Sequence, residues 1–98
     1  MDRRVAWTES AWQELESAAH FISKDSPRYA AALVGDARFA ARSLKVFPKR
    51  GRIVPELGDD SIRELIIKSW RLIYEVRQDS VLKLAFLHGA RRFPGDAG

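Results

Sequence analysis

The feature that most constrains this chain is a change of hydrophobic period near its middle. Up to Phe47 the apolar residues recur every three or four positions; from Ile62 onward they recur every second position or in short runs. The first pattern demands helices with one buried stripe, and the second demands strands with a buried face. A chain of 98 residues has enough surface for one core and not for two, so the two halves must bury their apolar faces against each other. One domain over residues 1–98 is expected, of the α+β class: a two-helix hairpin packed on an antiparallel sheet of about four strands, in the order β-α-α-β-β-β.

Arg4 to Trp7 reads as a short strand. Thr8 then offers an N-cap hydroxyl and Glu9 an acidic first turn, although Ser10 with Gln13 forms a rival capping box. Ala11, Trp12, Leu15, Ala18, Ala19 and Ile22 make one apolar stripe on the helix that follows. Asp25-Ser26-Pro27 stops this helix and starts the next, since Ser or Asp caps and Pro suits the first helical position. Ala30, Leu33, Val34, Ala37, Ala40, Ala41, Leu44 and Phe47 carry the period on to Pro48.

The segment PKRGRIVPELGDDS, from Pro48 to Ser61, holds two Pro, two Gly and a high density of charge, and reads as a loop. Three strands follow, at Ile62–Ile67, Trp70–Arg77 and Val81–His88. Their connections are too short for crossovers, so they form an antiparallel meander. Strict alternation puts Trp70, Leu72, Tyr74 and Val76 on one face and Arg71, Ile73, Glu75 and Arg77 on the other. In the last strand it separates Leu82, Leu84, Phe86 and His88 from Val81, Lys83, Ala85 and Leu87. The tail over 94–98 is expected to be disordered.

Composition narrows the chemistry. The absence of cysteine excludes a disulfide scaffold, a thiol nucleophile and a cysteine-ligated zinc site, and fits a reducing, cytoplasmic setting. No apolar run approaches the length of about 18 residues that a bilayer span needs, so a soluble protein is expected. Lys plus Arg is 17 against 13 Asp plus Glu, a net charge of +4, and 12 of the 17 are Arg. The planar guanidinium fork binds phosphate or carboxylate bidentately, so an acidic or nucleic-acid partner is compatible with this surface.

Two histidines, His20 and His88, are the residues that titrate near neutral pH. His20, on the first helix, reads as an exposed residue without a role. His88 ends the last strand, close in sequence to Arg91. Arg71, His88 and Arg91, with Arg63, Arg77, Arg50 and Arg52 nearby, are the candidate functional cluster, suited to phosphates or a carboxylate-rich peptide. The competing reading has Arg63, Glu64, Arg71, Glu75 and Arg77 forming cross-strand ion pairs on a solvated face. No ligand spacing suggests a metal, Asp59-Asp60 reads as turn chemistry, and neither a GxGxxG nor a P-loop motif is present, so no cofactor is expected.

Several strings, in order along nearly the whole chain, resemble the RelE/ParE superfamily of type II toxin–antitoxin toxins: VAWT at Val5–Thr8, PKRGR at Pro48–Arg52, REL at Arg63–Leu65, WRLIYEV at Trp70–Val76 and HGAR at His88–Arg91. The resemblance implies a compact α+β toxin and two distinct mechanisms. RelE-like members cut messenger RNA on the ribosome with basic residues around the scissile phosphate; ParE-like members poison DNA gyrase without a hydrolytic site of their own. Carried over by position, the RelE-type arginines fall on Arg71 and Arg91. The paired lysines would fall on Ile62 and Glu64 and the tyrosine near Ala97, and all three are missing. A glutamate where a phosphate-binding lysine should stand repels an RNA backbone.

The HGAR ending is similar to the ParE branch. The resemblance therefore implies a gyrase-poisoning toxin, with ribosome-dependent endoribonuclease, in which His88, Arg71 and Arg91 would be the catalytic set, or a non-toxic antitoxin-binding remnant as alternatives. It also implies a cognate antitoxin with an acidic or partly disordered arm and a higher-order toxin–antitoxin complex. DNA contacts in such a complex come from the antitoxin. Arg63, Arg71, His88 and Arg91 are the functional residues expected under these readings, and Trp70, where a tyrosine is common in the family, is expected to pack.

Overall fold

The computed structural model describes residues 3–93, so the expectations for the tail and for Ala97 lie outside the described residues. The elements are β1 (Arg4–Trp7), α1 (Glu9–Ser23), α2 (Pro27–Ser43), β2 (Arg52–Ile53), β3 (Ile62–Ile67), β4 (Trp70–Val76) and β5 (Ser80–His88). Both helix starts follow their capping chemistry. Thr8 Oγ1 accepts from the Ala11 amide at 3.0 Å, and Ser26 Oγ accepts from Tyr29 with Pro27 in the first turn. The Ser10–Gln13 box is not used; Gln13 Nε2 instead donates to Glu9 at 3.1 Å. Helix α2 ends at Ser43 and a tight turn carries the chain to Phe47, whose ring is 64% exposed rather than part of the buried stripe.

The sheet has five strands in the order β1-β5-β4-β3-β2. The β3-β4-β5 meander is antiparallel as its short connections require, with Ile67 opposite Trp70 and Val76 opposite Val81. Two features depart from the sequence reading. β1 lies parallel to β5, with Val5 opposite Val81: the helical hairpin carries the chain from β1 to the far edge of the sheet, and the β2-β3-β4-β5 meander then returns it strand by strand to β1's side, with β5 running in the direction of β1. The loop also contributes the two-residue β2, antiparallel to β3. Its charged Pro/Gly context hides a strand that only partner pairing creates.

A third departure is a β-bulge in β5. Ile73 pairs with Ala85 and Tyr74 with Lys83, leaving Leu84 as the extra residue. The bulge shifts the alternation by one position, so Val81 and Lys83 share the helix-facing side with Phe86, and the strict alternation expected for this strand fails. On that side Leu15, Ala18, Leu33 and Ala37 of the helices meet Leu72 and Phe86, with Trp70 stacked on Phe86 at 5.4 Å. Trp70 packs there, as expected. Leu44, Tyr74 and Val81 extend this layer toward β1. The opposite face is not solvated: Val54, Ile73, Ala85 and Leu87 form a second small cluster under the returning loop and Phe93.

The loop is held down at Gly51. Its amide donates to the buried Tyr74 hydroxyl at 3.0 Å, and its carbonyl accepts from Arg63 Nη1 at 2.9 Å. A Cβ at this position would collide with the Glu64 carbonyl and lie 2.7 Å from the Tyr74 hydroxyl oxygen. Burial pushes the Tyr74 hydroxyl above the ordinary tyrosine range. Gly51→Ala is expected to destabilise the domain by about 1–3 kcal/mol through overpacking against backbone. A denaturant melt checks this; an unchanged midpoint would show that the loop is not anchored here.

Candidate functional site

Arg71 occupies the face of the sheet opposite the helices and is 6% exposed. Its Nε donates to Glu64 Oε1 at 2.6 Å. Its Nη1 and Nη2 each donate to one oxygen of Glu56 at 2.8 Å, and Nη1 donates also to the Arg91 carbonyl at 2.7 Å. Four of the five guanidinium N–H groups are thereby used. Glu64, 1% exposed, is shared with Arg52, whose Nε lies 2.5 Å from its second oxygen. Glu56 also accepts from the Phe93 amide at 2.9 Å. One buried cation thus ties β3, the loop and the segment after β5 to β4. The pair Arg71–Glu64 is a cross-strand contact as the competing reading had it, but it is buried, not solvated. Arg77 pairs with Glu75 at 2.8 Å on the exposed surface, but along one strand and not across two.

The electrostatics agree with the geometry. The bidentate hydrogen bond from Arg71 holds the Glu56 carboxyl down at about 2, against burial that would raise it. The same bonds raise Arg71 further above its already high value.

Arg63 also serves the loop. Its Nε donates to the Asp60 carbonyl at 3.0 Å, its Nη2 to the Asp60 carboxylate at 2.7 Å and its Nη1 to Gly51. Asp59 caps the turn, its Oδ1 accepting from both the Ser61 amide and hydroxyl. Arg50 donates to Ser43 Oγ at 2.6 Å.

His88 and Arg91 are brought together elsewhere. Both are exposed, and both line a groove of about 590 Å³ between α1 and the end of β5, with Glu14, Ser17 and Trp70 among its walls. The Arg91 amide donates to the His88 carbonyl at 2.9 Å, and the imidazole meets Trp70 edge-on at 5.4 Å. His88 Nδ1 faces the Ala90 amide at 3.4 Å, which leaves Nε2 as the free ring nitrogen. Glu14 is not a free base: one oxygen accepts from the Phe86 amide at 2.9 Å. The groove therefore offers one cationic fork and one imidazole to an anionic or hydrogen-bonding partner. The four expected residues do not form one constellation. The side chains of Arg71 and Arg63 are engaged by carboxylates and carbonyls, Arg91 links the two regions through its carbonyl, and His88 with the Arg91 side chain remains open. Among the described residues no group of three His, Asp or Glu is placed to hold a metal ion, and no helix is long and apolar enough to cross a membrane.

A further basic cleft, not foreseen in the sequence, lies between β1 and α2, with the buried Lys83 in its lining. Its signal was the spacing of Arg38 and Arg42 on α2 and of Lys45 in the turn after it, three or four residues apart. Lys83 was hidden because the bulge at Leu84 reverses the face on which it falls.

A small basic α+β toxin fold is what the comparisons return. A solved structure described as the chromosomal ParDE TA system from P. aeruginosa superposes with a TM-score of 0.70 at 18% identity, over 88% of this chain and 95% of that one. The family model for the ParE toxin of the type II toxin–antitoxin system, parDE, matches residues 5–93, and the chain belongs to that family. A search of curated proteins gives no significant match.

Arg71→Ala would leave two carboxylates in a site built around a cation and is expected to cost about 3–5 kcal/mol in denaturant unfolding, the range for breaking a buried pair. Because the folded Glu56 carboxyl is depressed to about 2 from 4.5, its contribution is fully present above about pH 4.5 and is lost as pH falls toward 2. Glu56→Gln is expected to flatten that acid limb of the stability curve, measured by thermal melts between those pH values.

Proposed function

We propose that this chain, as a ParE-family toxin, inhibits growth by poisoning DNA gyrase through a protein surface, without hydrolytic chemistry of its own, and is neutralised by a cognate antitoxin. The observation that carries this reading is the state of Arg71. A nuclease that cleaves by a 2′-hydroxyl attack needs free cations around the scissile phosphate. Here the arginine at that position has Glu56 and Glu64 as its partners, and releasing it would leave Glu56 without a cation and the buried Glu64 with Arg52 alone. Glu64, standing where a phosphate-binding lysine would be, is the residue that closes the position.

In this reading Arg91 and His88 are contact residues. They lie on an open groove beside α1, where a partner protein reaches them without unfolding the clamp behind. The excess of positive charge suits an acidic antitoxin arm that folds on binding. The ribosome-dependent endoribonuclease reading keeps one observation in its favour, the pairing of an exposed imidazole with an arginine in that same groove.

Purified toxin added to a gyrase supercoiling assay, and in parallel to a reconstituted translation mixture with primer extension, separates the two. Loss of supercoiling with trapped cleaved plasmid and intact messages is expected; messages cut at ribosome-bound codons with gyrase untouched would overturn the proposal. Arg91→Ala is expected to abolish growth inhibition while leaving the melting temperature nearly unchanged, because only its carbonyl serves the clamp. Undiminished toxicity at equal soluble protein would remove Arg91 from the contact surface.

A further inference from the structure

We propose that the cleft between β1 and the C-terminal half of α2 binds the phosphate backbone of single-stranded nucleic acid without regard to sequence. The cleft measures about 1010 Å³, and no carboxylate is among its lining residues. One wall carries Arg38 and Arg42, one turn apart on α2 and about 6 Å from each other at 1.5 Å per residue, and Lys45 in the turn that follows the helix. Arg3 faces it, its Nε donating only to a neutral acceptor, the Arg77 carbonyl, at 3.0 Å. Among the described residues, none of these four cations takes part in an ion pair, while Arg4, which also lines the cleft, lies 3.9 Å from the exposed Asp79 carboxylate.

Lys83 supplies the independent pointer to an anionic ligand. It is 2% exposed, lines the cleft, and its ammonium rests 4.8 Å from the centre of the Trp7 ring with no carboxylate beside it. Burial pushes its pKa down to about 8. An ammonium held at the floor of a cleft, with an aromatic ring but no carboxylate beside it, gains more from an arriving anion than a fully solvated lysine does.

An acidic peptide would also match the charge and has the edge of β1 to add to, but that strand is only four residues long, Arg4–Trp7, and the Arg3 amide just before it is already taken by the Lys45 carbonyl at 3.2 Å. An edge that short offers few main-chain bonds, whereas the side chains around the cleft interleave cations with exposed rings. Phe47, 64% exposed, adjoins Arg3, Lys49 and Arg50 in a contiguous depression; Phe39, 67% exposed, stands three residues before Arg42 on α2. Cations that track a backbone beside rings on which unpaired bases stack are the working parts of single-strand binding surfaces. A duplex would leave the rings unused. No base-reading helix is required, and the inference does not rest on the gyrase reading.

Fluorescence anisotropy of the full chain with labelled oligo-dT and oligo-U of about 12 nucleotides tests it, a length within the usual range of single-strand site sizes. Binding is expected to weaken with salt at a log–log slope of about −3, as for four phosphates on a single strand. R38E/R42E is expected to weaken binding more than about tenfold, and K24E/R28E, the same charge change at the other end of the hairpin, by less than about threefold. Phe47→Ala should weaken single-strand binding by about fivefold or more. Thermal melts establish that each variant is folded. Absence of binding at low salt, or equal losses in the two double variants, would overturn the site. A duplex bound as tightly would overturn the single-strand assignment, and tighter binding of poly-glutamate would reassign the cleft to an acidic peptide.

Discussion

One buried guanidinium holds together the side of the sheet that the helices leave uncovered. Arg71 stands in the middle of the sheet, yet its hydrogen bonds reach Glu64 on the next strand, Glu56 on the loop and the Arg91 carbonyl beyond the last strand. A loop of this length has a large ordering cost and little apolar surface of its own. The charge cluster, with Gly51 against Tyr74 and Arg63 against Asp60, supplies what hydrophobic burial there cannot. In return the loop covers Ile73, Ala85 and Leu87, which the helices do not reach. A sheet whose second face would otherwise be wet thus acquires a second core.

The same arrangement separates two roles that sequence position alone would merge. Basic residues crowd the end of the sheet, but those on β3 and β4 are satisfied by carboxylates and carbonyls, while those beyond β5 are open. Function is therefore to be sought where the donors remain free: at His88 and Arg91 beside α1, and at the cationic walls between β1 and α2. These two surfaces share no lining residue. A protein partner on one does not by itself exclude a ligand on the other.

The bulge at Leu84 links packing to charge. By reversing the alternation of β5 it directs Phe86 under the helices, next to Trp70, and carries Lys83 to the same side, against Trp7. Without that extra residue, either Phe86 or Val81 would have to leave the core. Lys83 follows from the solution that keeps both inside, and its buried ammonium lies in the lining of the basic cleft.

Much of the architecture was determined by the sequence alone. The helical period, the caps at Thr8 and Ser26 and the short connections between the last three strands are local properties, set by residues within a turn or two of one another, and they prescribe two helices on a meander. The motifs carrying the family resemblance were equally legible. Tertiary structure alone decided the parallel placement of β1, the pairing that makes β2 a strand and the phase change in β5, because each depends on a partner distant in the chain. It also decided which arginines are free. Charge on a side chain is written in the sequence, but whether that charge is spent on a carboxylate 15 residues away, as with Arg71 and Glu56, is decided only when the chain is folded.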